Sequence, residues 1–404
     1  MGLRVGVVTG NHEPNAGGAW TFSETLVAAV KSAECSHEFV VLDHISQGDG
    51  LDERRTQPTG TSHQTPSGIK SQLFRRFGKA PRDDCNDNSN VSSLGVVAAR
   101  ERIDLVWLMK PWSEPLPVPY IATVWDLEHR KQPYFPEVSA TGWSWSEREH
   151  VFNALLPRAS MIITGTQAGK NEVVHYYRVN PANVMVIPLP VPAAASRPQQ
   201  LKSVEIKEKY GVSGGFLLYP AQFWPHKNHV NLLRALRLLR DQGGLDVNLV
   251  LTGSDKGNLD HVKKEVADAG LSDRVFVLGF IPREDLTALY RTSTALVFPS
   301  YFGPDNFPPL EAFALGCPVV AANVPGALEQ IGEGALLFDP SNPSDIAAKI
   351  ESLCRTPSLR EHLIGKGLEI AKCRNPQAYI RRLCSFLDGF ETMRRCWGLT
   401  YHHP

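Results

Sequence analysis

The stretch PSYFGPDNFPPLEAFALGCPVV, residues 299–320, carries the densest set of residues suited to ligand chemistry. An apolar run ends at Pro299, a loop rich in Gly, Pro, Asp and Asn follows, and Pro308-Pro309 predict the first positions of a helix. Free N–H groups and the positive end of the helix dipole favour an anionic ligand there. Glu311 falls in the first predicted turn, where it either accepts hydrogen bonds from hydroxyls such as those of a ribose or only complements the dipole.

A single cation stands beside a second predicted strand end, in LYPAQFWPHKNHVNLL at residues 218–233. Lys227 comes just before a predicted helix, and Asn228 is a residue type favoured at the N-cap. The lysine and the helix N-terminus therefore converge at the carboxyl end of a strand, where doubly wound sheets bind ligands. One lysine before a helix is usually a solvated surface residue, but two such strand ends in one half of the chain favour a binding site.

A glycine pair joins the first predicted strand to the first predicted helix, in TGNHEPNAGGAWTFSETL at residues 9–26. Gly17-Gly18 allows the backbone to approach a ligand closely, although a plain tight turn has the same pattern. Because the stretch is not G-x-G-x-x-G, it lacks the fingerprint of a dinucleotide-dependent dehydrogenase.

Six short apolar runs in each half of the chain must position these residues. Near-continuous Val, Ile and Leu runs are typical of parallel strands buried on both faces, and helical stretches lie between them. This alternation predicts an α/β protein with two doubly wound, Rossmann-like domains and a cleft between them. The predicted strands are 3–10, 37–43, 104–109, 120–126, 160–165 and 184–190 in the first half, and 215–222, 247–253, 274–280, 295–300, 318–323 and 335–340 in the second.

The same pattern divides the chain. We interpret the chain as a first domain, a Pro- and Ala-rich linker, a second domain, and a C-terminal helix with a tail, at residues 1–190, 191–204, 205–378 and 379–404. Residues 48–92 are a polar insertion in the first domain, and within it IKSQLFRRFGK (69–79) alternates apolar and basic residues. This insertion is either a mobile surface loop without chemistry or a peripheral contact with an anionic membrane.

The composition excludes several classes of protein. Lys+Arg and Asp+Glu both total 42, so the basic excess of a nucleic-acid-binding protein is absent. No run approaches the ~20 apolar residues that span a bilayer, and the start, MGLRVGVVTG, lacks a secretory leader pattern, so we expect a cytoplasmic protein. The 7 cysteines include no C-x-x-C pair, which favours reduced, mostly buried thiols over a disulfide framework or a zinc cluster.

The two second-half stretches resemble the donor site of family 4 glycosyltransferases, which have the GT-B fold and retain the anomeric configuration of the donor sugar. The resemblance is strong over residues 205–345, fair over 120–190 and weak over about the first hundred residues. It implies an acceptor-side first domain and a second domain that binds a nucleotide sugar, with a membrane contact at the inner face as an option.

Within 299–320, the resemblance implies that Glu311 binds the donor ribose and that backbone N–H groups of the loop hold hydroxyls of the donor sugar. The family's first glutamate falls on Gly303, so its carboxylate is missing, and Asp305 or Asn306 is our candidate replacement. The loop positions that correspond to the sugar-binding segment are Pro304, Asp305, Asn306 and Phe307.

The segment AQFWPHKN resembles the family's diphosphate motif, which implies that Lys227 binds the donor diphosphate. Gln222 stands where the family has an arginine, so His226 or Arg283 is our candidate for a second cation. The remaining donor-binding candidates are the matched glycine turn and two further strand ends, Gly17, Gly18, Gly253 and Phe280.

TVWDLEHRKQPYFPE, residues 123–137, resembles the segment that carries the family's His-Asp pair. Trp125 occupies the histidine position, Asp126 is kept, and His129 lies three residues further on. Asp126, His129 and Lys227 are therefore the catalytic candidates, with a structural histidine as the alternative for His129.

The resemblance implies transfer of a hexose, which includes a mannose-type sugar, from a nucleoside-diphosphate sugar to an acceptor hydroxyl of a glycan, a lipid-linked molecule or a small molecule. We expect neither a metal nor another cofactor, because Lys227 and helix N-termini suit the diphosphate and no Asp-x-Asp follows a strand. A sugar-nucleotide 2-epimerase of similar fold is one alternative. A catalytically inactive sugar-nucleotide-binding subunit is another, favoured by the missing glutamate and arginine.

Overall fold

The computed structural model describes most of the chain, namely residues 2–10, 17–42, 93–112, 116–141, 143–192, 203–242, 244–245, 247–303 and 305–397. The predicted insertion 48–92 with its 69–79 stretch, residues 193–202 of the predicted linker, and Pro304 lie outside the described residues.

Two six-stranded parallel sheets form where the apolar runs lie, which confirms the predicted fold class. Inner strands of both sheets are buried along their length, whereas one edge strand of each sheet, Glu38–Val41 and Val275–Gly279, is partly exposed. The first sheet has the order β2-β1-β3-β4-β5-β6, with β1 Arg4–Val8, β2 Glu38–Val41, β3 Leu105–Leu108, β4 Tyr120–Thr123, β5 Met161–Thr164 and β6 Val184–Val186. The second has the order β12-β11-β10-β7-β8-β9, with β7 Phe216–Pro220, β8 Asn248–Thr252, β9 Val275–Gly279, β10 Ala295–Phe298, β11 Val319–Ala322 and β12 Ala335–Phe338.

Some helices begin at a capping signal that the sequence supplies, whereas others have no side-chain cap. Ser144 and Glu147, for example, form a capping box at the start of the helix Trp145–Leu155. No described helix is long and apolar enough to cross a membrane. The helices are α1 Gly18–Lys31, α2 Ser93–Arg100, α3 Glu128–Lys131, α4 Pro136–Ser139, α5 Trp145–Leu155, α6 Gln167–Tyr177, α7 Ser203–Tyr210, α8 His229–Asp241, α9 Leu259–Asp268, α10 Arg283–Thr292, α11 Phe307–Ala314, α12 Ala327–Ile331, α13 Pro343–Arg355, α14 Pro357–Cys373 and α15 Pro376–Arg394.

Each sheet reverses its winding direction at one point. The reversal falls between β1 and β3 in the first sheet and between β7 and β10 in the second. Ligands of doubly wound sheets bind outside the carboxyl ends of the strands at such points. The loops after β1, β7 and β10 are those that carry Gly17-Gly18, Lys227 and the predicted 299–320 site.

The C-terminal helix α15 returns to the first sheet. It begins at Pro376, three residues before the predicted start, because the Asn375 side chain accepts a hydrogen bond from Ala378 N at 2.8 Å and caps it. The ring of Tyr379 packs against that of Phe22 in α1, with centroids 6.0 Å apart. The apolar residues at helical spacing along α15 are buried, namely Ile380, Leu383, Leu387 and Phe390.

The expectation that the thiols are mostly buried is wrong for half of the described cysteines. Cys35, Cys373 and Cys396 are exposed, whereas Cys317 and Cys384 are buried, and all the described cysteines are free. The exposed ones lie at or just beyond helix ends, where a side chain does not face the core.

Candidate functional site

One cavity of about 510 Å³ lies between the two sheets, lined by loops from both halves of the chain. The structure brings the described donor-binding candidates together around it: Gly17, Gly18, Gln222, Lys227, Gly253, Phe280, Asp305, Asn306, Phe307 and Glu311. Trp125 also lines the cavity, while Asp126 and His129 do not, and Pro304 lies outside the described residues.

A turn of 3₁₀ helix, Pro225–Lys227, presents the lysine at the end of β7. The buried Tyr219 hydroxyl donates to the Lys227 carbonyl oxygen at 2.6 Å. Asn228 stands at the N-cap position of α8, but its side chain makes no capping hydrogen bond. Its amide instead donates to the carbonyl oxygens of Pro299 and Pro340, at 2.9 and 2.8 Å, so Asn228 ties the lysine turn to the loop after β10.

The Lys227 ammonium has no hydrogen-bond or ion-pair partner among the described residues. Its Nζ lies 5.5 Å from the ring centroid of Phe298. Burial lowers the pKa of Lys227 to about 8, while the negative charges of Asp126 and Glu137 oppose this shift. A buried cation without a direct hydrogen-bond or ion-pair partner among the described residues favours an anionic ligand in the cavity.

Glu311 lies in the second turn of its helix, not in the first as predicted. The helix α11 begins at Phe307, one residue before the Pro pair, and has no acidic residue in its first turn. The dipole interpretation of Glu311 therefore loses its basis. The carboxylate accepts a hydrogen bond from Tyr290 Oη at 2.8 Å and lines the cavity, where burial raises its pKa.

The backbone at position 303 favours glycine over the glutamate that the family resemblance implies there. Gly303 has a φ of 104°, in the left-handed region that favours glycine, and a Cβ there would lie 2.7 Å from Asn306 Nδ2. The Asn306 amide donates to the Gly303 carbonyl oxygen, and the Asn306 carbonyl accepts from Gln330 Nε2 at 2.7 Å. Asp305 and Asn306 both line the cavity, so both remain candidates to replace the missing glutamate, and Asp305 is the carboxylate of the two.

Asp305 lies where the two halves of the chain meet. Its carboxyl is so close to Gly165, at the end of β5, that a Cβ on that residue would fall 1.9 Å from Oδ1. Oδ1 is buried and has no hydrogen-bond partner among the described residues. Burial, with the charge of Asp126, raises the pKa of Asp305 to about 7, so this carboxyl can donate as well as accept a hydrogen bond near neutral pH.

Of the two candidates for a second cation, only Arg283 lines the cavity, and its guanidinium is paired with Glu24. His226 is buried and does not line the cavity, and burial lowers its pKa to about 4, so it is neutral near pH 7. Arg283 does line the cavity, but its Nη1 lies 2.6 Å from Glu24 Oε2 and its guanidinium stacks on Trp20 at 4.8 Å. Gln222, in the arginine position, accepts a hydrogen bond from Trp224 Nε1 at 3.0 Å.

Gly253 is required by the close approach of two strand ends. It has a φ of 147°, and a Cβ there would lie 2.2 Å from the carbonyl oxygen of Ala221. A larger residue at this position would push apart the ends of β7 and β8 and narrow the cavity.

The first half contributes an aromatic wall and a nearby carboxylate. Trp125 lines the cavity, and its Nε1 donates a hydrogen bond to the Met109 carbonyl oxygen at 3.4 Å. Asp126 accepts a hydrogen bond from Glu128 N at 3.1 Å, and its charge acts on both Lys227 and Asp305 across the gap between the halves.

His129 is a structural residue in this arrangement, which is the alternative to a catalytic role. It has no exposed surface, and its Nε2 lies 2.7 Å from Glu149 Oε1 and 3.4 Å from the Tyr177 hydroxyl. Burial lowers its pKa, so the ring is neutral and is held within the first half.

Sequence reasoning missed one aromatic residue at the cavity rim. Trp20, in the first turn of α1, is half-buried and lines the cavity beside Arg283, whereas the predicted candidate Phe280 leaves 59% of its surface exposed at the opening. A large aromatic two residues after the glycine turn was the signal that could have found Trp20. Among the described residues, no three His, Cys, Asp or Glu side chains converge as metal ligands do, and the metal-free reaction stays a prediction.

Several solved structures share this two-domain architecture. Sucrose-phosphate synthase from Thermosynechococcus elongatus superimposes with a TM-score of 0.70 at 18% identity, over 97% of this chain and 100% of that chain. Anabaena HepE, solved with UDP-glucose, gives a TM-score of 0.67 at 16% identity, over 96% of this chain and 100% of that chain. At these identities the likeness shows the fold alone, and the fold is the two-domain GT-B fold of glycosyltransferases.

The sequence comparisons find a family similarity in the second half. Residues 203–369 match the family described as Glycosyl transferases group 1. O-antigen chain mannosyltransferase B of Escherichia coli is 28% identical over 219 residues, 54% of this chain and 57% of that protein. D-inositol 3-phosphate glycosyltransferase of Acidothermus cellulolyticus is 27% identical over 215 residues, 51% of this chain and 48% of that protein. The chain thus spans about half the length of these curated relatives, and its residues 203–369 are similar to the glycosyl transferases group 1 family.

Proposed function

We propose that this protein transfers a hexose from a nucleoside-diphosphate sugar to an acceptor hydroxyl, with retention of configuration and without a metal ion. The observation that carries the proposal is the Lys227 ammonium, which has no hydrogen-bond or ion-pair partner in the described part of the chain and lies in a cavity of about 510 Å³ where the second sheet reverses. A diphosphate leaving group develops negative charge, and a preorganised cation in a low-dielectric site stabilises that charge.

Different lining residues bind different parts of the donor. Lys227 and the N-terminus of α1 at Gly18 bind the diphosphate, Glu311 accepts hydrogen bonds from the ribose, and Asp305 binds the sugar. During transfer the bond between the sugar C1 and the diphosphate oxygen breaks, and the acceptor oxygen bonds to C1 on the same face. The departing phosphate oxygen takes the acceptor proton, so no protein nucleophile is needed.

The comparisons favour a mannose-type sugar and a glycan acceptor without fixing either. Two of the similar proteins are named as O-antigen chain mannosyltransferases, whereas structures with the same fold were solved with UDP or UDP-glucose. We therefore propose a polysaccharide or glycoconjugate acceptor on the cytoplasmic side, with lipid-linked and small-molecule acceptors as further options.

A sugar-nucleotide-binding subunit without catalysis is the second candidate, favoured by Gly303 and Gln222 in place of a glutamate and an arginine. A thermal-shift screen with UDP-glucose, GDP-mannose and related donors comes first, since a ligand at a hundredfold excess over its Kd raises stability by about 2.7 kcal/mol. Donors that bind are then incubated with a panel of acceptors. Product formation supports the transferase, binding without turnover supports the subunit, and no binding refutes both.

A further inference from the structure

A carboxylate of the first half contacts the turn that carries Lys227. Glu137 lies in α4, and its Oε1 accepts a hydrogen bond from His226 N at 2.9 Å and a second one from His226 Nδ1. The His226 ring stacks on Phe302 with centroids 3.9 Å apart and an interplanar angle of 12°. Because Glu137 and His226 are both buried, water does not compete for these hydrogen bonds.

Two neighbours of Glu137 dock on the same region of the second half. Gln132 Nε2 donates to the Tyr301 carbonyl oxygen at 3.3 Å, and the Phe135 ring packs against Tyr301 with centroids 5.7 Å apart. Tyr301 N in turn donates to the His226 carbonyl oxygen at 2.9 Å. The segment 132–137 therefore forms one contact surface against the lysine turn and the loop after β10.

Glu137 is also one of two counter-charges of Lys227. The titratable groups that face the lysine are Asp126 after β4, Glu137 in α4, His226 in its own turn and His229 in α8. Burial lowers the pKa of His226 to about 4 and that of His229 to about 3, so both rings are neutral. Burial opposes ionisation of Glu137, but the hydrogen bonds from His226 outweigh it and lower the pKa of Glu137. Among the described residues, only the two carboxylates balance the ammonium.

We propose that Glu137 is a positioning residue for Lys227, which it holds in place through His226 while its negative charge balances the buried ammonium. The acceptor-side half thus completes the diphosphate-binding group of the donor-side half. The inference rests on the proposed function only for the ligand assigned to Lys227, since the contacts themselves do not depend on it.

Two substitutions separate position from charge. Glu137→Gln keeps an oxygen that accepts both His226 hydrogen bonds and removes the charge, whereas Glu137→Ala removes both. The pKa of Lys227 is measured on the full chain by NMR of lysine labelled at Cε and Nζ, with Lys227→Arg to identify its signal. Glu137→Gln should lower this pKa by about one unit, the lower end of the effect of a neighbouring opposite charge.

A matched control is Glu149→Gln, which neutralises a buried carboxylate bonded to His129 and Arg130 in the first half. It should leave the pKa of Lys227 unchanged. An unchanged pKa in Glu137→Gln as well would overturn the inference.

Ligand binding supplies an independent measurement. Calorimetry with inorganic pyrophosphate and with UDP should show that Glu137→Gln moves the alkaline loss of affinity to lower pH by about one unit. Near pH 6 that variant should bind like the wild type, whereas Glu137→Ala should lose about tenfold, as expected for a misplaced charged hydrogen-bond donor.

The two measurements distinguish the two proposals. If the wild type binds neither ligand but the Lys227 pKa falls in Glu137→Gln, the diphosphate proposal fails and the role of Glu137 stands. If the ligands bind and Glu137→Gln changes neither the pKa nor the pH profile, the role of Glu137 fails alone. Because Glu137→Gln keeps the hydrogen bonds, the test does not depend on whether Glu137→Ala folds.

Discussion

Replacing Lys227 by Met should stabilise the free protein and remove its affinity for a diphosphate. Met fills a similar volume with apolar atoms, so the substitution leaves no cavity behind. The lysine, in contrast, keeps a charge in surroundings that solvate it poorly, and no described residue makes a hydrogen bond or ion pair with its ammonium. A residue that costs stability in the free protein and supplies binding energy in the complex is typical of a functional site.

The pKa of Lys227 sets the size of the effect. Burial lowers it to about 8 from an ordinary value of 10.5. At about 1.4 kcal/mol per unit, this gap corresponds to at most about 3.5 kcal/mol of lost stability. Since the folded-state pKa is the lower one, the unfolded chain binds more protons between these two values. The penalty is therefore complete below about pH 8, and it disappears as the pH rises toward 10.5.

Thermal unfolding without ligand measures the stability, and calorimetry with pyrophosphate measures the binding. At pH 7 the melting temperature of Lys227→Met should rise by a few degrees, and affinity should fall at least about tenfold, as for loss of a charged hydrogen bond. Lys131→Met is the matched control, because it strips Glu128 and Glu172 of their partner and should lower the melting temperature. A lower melting temperature with unchanged affinity in Lys227→Met would make Lys227 a structural residue and refute the reasoning.

The remaining predictions concern the reaction. Glu311→Gln should raise the donor KM more than it lowers kcat, because ribose is bound equally in ground and transition states; a loss of kcat at unchanged KM would instead make Glu311 catalytic. Asp126→Asn should slow transfer by about 10- to 1000-fold, whereas His129→Ala should lower the melting temperature more than the rate, and the opposite result would return His129 to the site. Proton NMR of the first-formed product should show the anomeric configuration of the donor, and an inverted product would contradict retention. Transfer should survive EDTA; activity that is lost and then restored by magnesium or manganese would rule out the metal-free reaction.

The sheets were predictable because their strands are continuous apolar runs. Parallel strands are buried on both faces, so Val, Ile and Leu follow one another without alternation. Helix starts were predictable only to within a residue or so, because Pro308 fits the second position of α11 as well as the first. The observed start at Phe307 places Glu311 in the second turn of the helix instead of the first.

Which residues lie at the carboxyl ends of the strands follows from the sequence alone. Strand direction and the winding rule then bring those ends to one edge of each sheet. The sequence therefore predicts that Lys227, Glu311 and the glycine turn lie near a ligand. It contains no information on which side chains compensate one another, because the partners are far apart along the chain.

Only the tertiary structure decided which of these groups remain free. It pairs Arg283 with Glu24, encloses His129 beside Glu149, and leaves the Lys227 ammonium without a partner among the described residues. It also packs α15 on the first half, which helical spacing alone does not specify. The physical reason is that pairing and desolvation depend on distances in space, whereas sequence patterns fix only the local backbone and the side that faces the core.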